Sequence, residues 1–180
     1  MENKILKSGI IIFMLVLFVF SVSAVSAGSN TTGVLSLSNS GITINYPSDW
    51  GYSNAISSYS IMAISKISSI DSFGIGQVNI NVEKRPIEGG DFYSFVNSTY
   101  KSMSKDPDYE LVSSGGLMLS GKEAVEYIYT SDTNGMKKEH KAVWFEKGGQ
   151  AYVLLYSAPL NQFENNLYVF DYMLSDIQIT

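Results

Sequence analysis

The sequence predicts an α+β fold in which two main helices, at about 91–104 and 159–174, pack on one central twisted antiparallel sheet. Three observations lead there. Residues 76–85 alternate without a break, with Val78, Ile80 and Val82 on one side and Gln77, Asn79, Asn81 and Glu83 on the other. One apolar face and one wet face is the pattern of an antiparallel sheet. Two stretches of helical spacing fall at separate places among strand-like runs. Turn dipeptides, Asn134-Gly135 and Gly148-Gly149, join the later runs at hairpin distance.

In chain order, residues 28–40 are rich in Ser, Gly, Asn and Thr and read as a short polar tether, with Val34, Leu35 and Leu37 as a weak first strand. Strand 42–46 turns Ile42, Ile44 and Tyr46 to one face and stops at Pro47, which cannot donate a ladder hydrogen bond. Ser48 and Asp49 favour a turn. Trp50 follows, a large amphipathic ring suited to closing the end of a core. Residues 59–67 and 76–85 are the next strands, the second stopped by Pro86, Gly89 and Gly90.

Asp91 offers its carboxylate to the free amides of a first helical turn, and Phe92, Phe95, Val96, Thr99 and Met103 recur at helical spacing before Asp106-Pro107-Asp108 ends the helix. Residues 109–112 and 117–119 read as two short strands broken by Gly115-Gly116, and longer strands follow at 123–130, 136–147 and 151–157. Pro159 suits a first helical turn, where its missing amide would have no partner. Beyond it Leu160, Phe163, Leu167, Phe170, Leu174 and Ile177 make one apolar stripe.

Residues 1–27 have the layout of a signal peptide: Lys4 and Lys7, an apolar run over 9–20, and small residues up to Ala27. The rival reading is an uncleaved anchor, for which the run sits at the short end of the roughly 20 residues that span a bilayer. In both readings the lysines stay inside and the rest of the chain lies outside the cytoplasm. The expected organisation is therefore 1–27 signal peptide or anchor, 28–40 tether, and 41–180 one domain. A domain of this size buries about 68–70% of its unfolded surface and needs no covalent staples, which agrees with the absence of cysteine. Removing residues 1–27 takes away Glu2, Lys4 and Lys7, two positive charges and one negative, so the net charge goes from −5 to −6. An acidic domain is a poor ligand for nucleic acid or anionic lipid.

Three stretches together carry a family resemblance. One is Gly41-Ile42-Thr43-Ile44-Asn45-Tyr46-Pro47-Ser48-Asp49-Trp50. Another is Leu119-Ser120-Gly121-Lys122-Glu123-Ala124, followed by Tyr127 and Tyr129, and the third is the closing helical stripe from Phe163 to Leu174 with Ile177. From about Gly41 to Ile179 the chain resembles the PsbP-like family, named for an extrinsic lumenal protein of photosystem II. The resemblance implies an α/β/α sandwich around an antiparallel sheet. It also implies a noncatalytic protein that docks onto others at the outer or lumenal face of a membrane. Photosynthetic members help retain calcium and chloride at the oxygen-evolving centre. That role does not carry over, because the tether is short and nothing matches the segment by which plant members engage their photosystem.

Candidate chemistry is sparse. Ser98-Thr99-Tyr100-Lys101 and Ser102-Met103-Ser104-Lys105 have S-x-x-K spacing, but the companion motifs of penicillin-binding enzymes are absent. His140, the only histidine, lies in Lys137-Lys138-Glu139-His140-Lys141 and reads as a solvated strand residue. One histidine and no cysteine leave zinc short of ligands. Asp106, Asp108 and Glu110 are weak candidates for a calcium site, and Leu117 stands where an EF-hand needs glutamate. Asn30 and Asn97 head glycosylation sequons. The best functional signal is aromatic: Trp50, Tyr109, Tyr127, Tyr129, Trp144 and Tyr152 are candidates for a binding face.

The expected function is an exported, noncatalytic domain that docks onto an unidentified protein or envelope component, with no cofactor, no nucleic acid, and membrane contact only if residues 1–27 stay attached. The alternative is a secreted small-molecule or glycan binder or hydrolase with a tyrosine-lined cleft.

Overall fold

A computed structural model describes residues 33–53, 58–72, 74, 76–133 and 135–180. The expectations for 1–27, for Asn30 and for Asn134 fall outside these residues.

The chain opens with a small sheet. Strands β1 (Val34–Asn39) and β2 (Ile42–Pro47) form a hairpin, and the last strand, β10 (Gln178–Ile179), adds to the other side of β2. Residues 34–39 of the expected tether are thus a paired strand. The hairpin turn is Ser40-Gly41 with both φ positive (53° and 73°), the geometry that matches strand twist. Gly41 is needed on a second count, since a Cβ there would lie 2.7 Å from the Thr180 carbonyl oxygen.

At Pro47 the chain changes sheets. Asp49 O accepts from Ile67 N and Ser48 N donates to Gly33 O, and strand β3 (Trp50–Ser53) then starts the edge of a large sheet. Its other strands are β4 (Ser60–Lys66), β5 (Asn79–Pro86), β6 (Glu110–Leu119), β7 (Lys122–Thr133), β8 (Met136–Lys147) and β9 (Gln150–Pro159). The seven run antiparallel in the order β3-β4-β5-β9-β8-β7-β6. Residues 109–112 and 117–119 were expected to be two strands; β6 runs straight through Gly115-Gly116, because pairing with β7 supplies the order that the glycines do not.

Helix α1 (Phe92–Met103) covers one face of this sheet and α2 (Leu160–Asp176) the other. The Asp91 carboxylate accepts from Ser94 N at 2.8 Å, capping α1 as its sequence indicates. α2 shares its side with the small sheet. There Ile42, Ile44, Trp50, Ile64, Ile80, Phe145, Leu154, Phe163 and Phe170 form the larger core. Under α1, Phe92, Val96 and Tyr100 meet Tyr127, Tyr129, Trp144 and Val153 in a second core.

The alternation read in 76–85 is correct, but its wet face is not wet. Asn81 and Glu83 are buried. The stripe of α2 also shifts: Phe163, Asn166, Val169, Phe170 and Met173 are buried, while Leu160 is 46% exposed.

Candidate functional site

The aromatic residues proposed as a binding face are core residues. Trp50 and Tyr152 are buried on the α2 side, Tyr152 stacked on Phe145 with ring centroids 5.4 Å apart. Tyr127, Tyr129 and Trp144 are buried beneath α1, with Tyr109 half-buried beside them. Tyr100 stacks on Tyr127 at 3.6 Å, its hydroxyl accepts from Trp144 Nε1 at 2.9 Å, and Tyr127 donates to Asn97 Oδ1 at 3.0 Å. Burial pushes the Tyr100 and Tyr129 phenols well above the ordinary tyrosine range, so both stay neutral. Over the central strands both faces of the sheet are covered, so alternation there selects one core or the other rather than core or solvent. Among the described residues these tyrosines line no open cleft.

His140 is also not a solvated strand residue. It is half-buried on the α1 face, with Nε2 2.9 Å from Ser131 Oγ, Nδ1 2.8 Å from Ser157 Oγ, and its ring stacked on Tyr129 at 4.7 Å. Burial, then the Lys138 charge, lowers its pKa to about 3. A neutral imidazole donates from one ring nitrogen and accepts at the other, so it bridges β7, β8 and β9. The geometry is that of a polar staple.

The remaining candidates have local partners. Ser98 Oγ donates to Phe95 O and Ser104 Oγ to Lys101 O, and the serines and lysines of both S-x-x-K stretches lie on the outside of α1 and its end. Asp106 Oδ1 accepts from Asp108 N, and Glu110 pairs with Lys137 at 3.3 Å. Among the described residues no three acidic, histidine or cysteine side chains converge as a metal site would need. Asn97 is exposed on α1.

One polar relay was not anticipated. Ser60 donates to Asn81, Asn81 to Glu83, and Arg85 to Glu83, the last at 2.6 Å and 2.8 Å from Nη2 and Nε. The guanidinium also lies over the Tyr59 and Trp144 rings, beside a cavity of about 110 Å³. The usable signal was the spacing of Asn81, Glu83 and Arg85, which puts opposite charges on one face two residues apart.

Among the described residues two further exposed surfaces bear on function. On the outside of α2, Tyr168 (64% exposed) and Tyr172 (43% exposed) stand one turn apart. Asn161, Asn165 and Ser175 continue that stripe, and α2 carries no basic residue. The other surface is the free edge of β6, where a groove of about 560 Å³ runs between Tyr93 of α1 and Leu117, Met118 and Val125. Sequence reading missed both. The available signal was the absence of charge from residue 111 to 121, and two tyrosines off the apolar stripe of the last helix.

No family model matches the chain, and no curated protein matches it by sequence. Solved structures do. Cyanobacterial PsbP (CyanoP) from Synechocystis sp. PCC 6803 superposes with a TM-score of 0.60 at 13% identity, over 88% of this chain and 99% of that one. LpqN of Mycobacterium tuberculosis, involved in cell envelope biogenesis, gives 0.59 at 16% identity, over 82% and 91%. A putative regulator from Pseudomonas aeruginosa, PA94, gives 0.50 at 11% identity, over 77% and 91%. With a seven-stranded antiparallel sheet held between two helices in the arrangement of CyanoP, the chain has the PsbP-like fold.

Proposed function

We propose that this protein is an exported, noncatalytic domain that docks onto a protein or envelope component at the outer face of the membrane. The observation that carries the reading is the outer face of α2. A merely solvated helix face is dense in Lys and Glu, whereas this one carries the exposed acids Glu164 and Asp171, no base, and a stripe of Asn161, Asn165, Tyr168, Tyr172 and Ser175. Tyrosine, asparagine and serine are the residues of adaptable recognition surfaces, with tyrosine giving large contact area at low entropic cost. Support for the location comes from the signal-like layout of residues 1–27 and from the fold shared with LpqN, a protein of envelope biogenesis. The fold alone carries no partner.

A photo-cross-linking amino acid placed at Tyr172 in intact cells tests this, with the same group at exposed Lys101 on α1 as control. The expected result is one reproducible adduct from position 172, absent from position 101 and lost when Tyr168→Ala is added. The same adducts at both positions, or none at 172, would overturn the reading. Mass spectrometry of the mature N-terminus tests export separately: a chain beginning near Gly28 is expected after cleavage, and a retained residue 1 in a soluble cell fraction counts against export.

A further inference from the structure

From the β6 edge we infer that this protein pairs with a second copy of itself, joining two seven-stranded sheets into one continuous sheet across a two-fold axis. Edge strands are ordinarily kept short, charged, kinked by proline or covered, because their unpaired amides and carbonyls recruit other strands. The far edge obeys this rule, since β3 has four residues. β6 breaks it. It is ten residues long, residues 110–116 are exposed without interruption, and 111–119 contain neither a charge nor a proline.

Glycine at the middle of β6 has no explanation inside one copy. Strand glycines are unfavourable by roughly 0.5–1 kcal/mol relative to alanine. Yet a Cβ on Gly115 would meet nothing within 4 Å, a Cβ on Gly116 would touch only Ala124 O at 3.9 Å, and neither residue has the positive φ that demands glycine. A two-fold axis through Gly115 sets each copy's glycine against its twin, so that no side chain stands at the crossing point.

The same axis sets Val112 of one copy opposite Met118 of the other, twice. These two are the most exposed apolar residues of the strand, at 56% and 64%. They also share a face. The register shift between Leu111 and Ser113 leaves Val112 as the extra residue beside Leu111, which pairs with Tyr129 under α1. Met118 pairs with Glu123, which accepts from Tyr93 of α1. An isologous contact must be complementary to its own reverse, and β6 is, with no like charges brought together. The groove beside Tyr93 and Met118 then receives the Val112 end of the second copy. α2 lies on the opposite face of the sheet, so this pairing leaves the docking surface proposed above uncovered and stands or falls independently of it.

Sedimentation velocity of the purified full chain over a concentration series tests the idea. The expected result is a monomer–dimer equilibrium that shifts to monomer with Val112→Lys, at unchanged Tm when both chains are compared at a dilution where each is monomeric. Combining Val112→Glu with Met118→Lys in one chain should restore the dimer, because each Glu then meets a Lys of the other copy. Since the chain has no cysteine, Gly115→Cys should give a disulfide-linked dimer on mild oxidation, while a cysteine at exposed Glu88 should not. A monomer at every concentration, a dimer indifferent to Val112→Lys, or a foreign extended segment found on β6 in its place would each overturn the proposal.

Discussion

Burial fixes the charge of His140. Its imidazole touches the Ser131 and Ser157 hydroxyls and the Tyr129 ring, and both burial and the Lys138 ammonium disfavour a proton there. The folded pKa of about 3 lies below the ordinary 6.5. Between those values the unfolded chain takes up a proton that the folded chain refuses, so stability is full above pH 6.5 and falls as pH drops towards 3. At about 1.4 kcal/mol per pKa unit, the loss between pH 7 and pH 4 is on the order of 2–3 kcal/mol. Urea unfolding of the wild type and of His140→Gln at the two pH values measures it. The wild type should lose more stability on acidification than the variant, and equal losses would refute a buried neutral imidazole. None of this was visible in Lys137-Lys138-Glu139-His140-Lys141, which has the composition of a solvated stretch. The two serines lie nine and seventeen residues away in sequence, and only the register of β7, β8 and β9 brings them to the ring.

Among the elements, α2 separates what a stripe of apolar residues tells from what it does not. Its existence and its burial through Phe163 and Phe170 follow from spacing alone, whereas Pro159, read as part of its first turn, is the extended last residue of β9 and the helix begins at Leu160. The centre of its buried face does not. Asn166 is buried because its side chain accepts from Lys66 Nζ at 2.6 Å and donates to Gln162 O at 2.8 Å, a partner on β4 that no local pattern encodes. Leu160, read as part of the stripe, stays half in solvent. Phe170→Ala should therefore cost about 3–5 kcal/mol, as for a fully buried ring, whereas Leu160→Ala should stay within about 0.5 kcal/mol, as for an ordinary surface change. Chemical denaturation of both variants decides between this centre and the one implied by spacing; comparable losses would restore the latter. The strands show the same division. Alternation placed Val78, Ile80 and Val82 correctly, but it could not show that the opposite face, with Asn81 and Glu83, is roofed as well, because polar side chains that satisfy one another look identical in sequence to polar side chains that meet water.

At the scale of the whole molecule, two cores share one sheet. β9 makes the coupling explicit: Tyr152, Leu154 and Tyr156 enter the α2 core, while Ala151 and Val153 enter the α1 core. The central strands are thus held by packing on both faces, and removing α1 or α2 exposes the inner surface of a sheet that the other helix still needs. Local opening of one layer has no stable stopping point, so the described domain should unfold as a single cooperative unit. The protein supplies its own reporters, since its two tryptophans divide between the cores, Trp50 on the α2 side and Trp144 on the α1 side. Trp50→Phe and Trp144→Phe each leave one emitter. Either substitution shifts stability by itself, so the comparison belongs within each variant: tryptophan fluorescence against far-ultraviolet circular dichroism across one urea titration. Coincident curves in both variants are expected. If Trp144 emission instead changed at lower urea than the backbone signal, the α1 layer would be separable, and the sheet would owe its order to the α2 core alone.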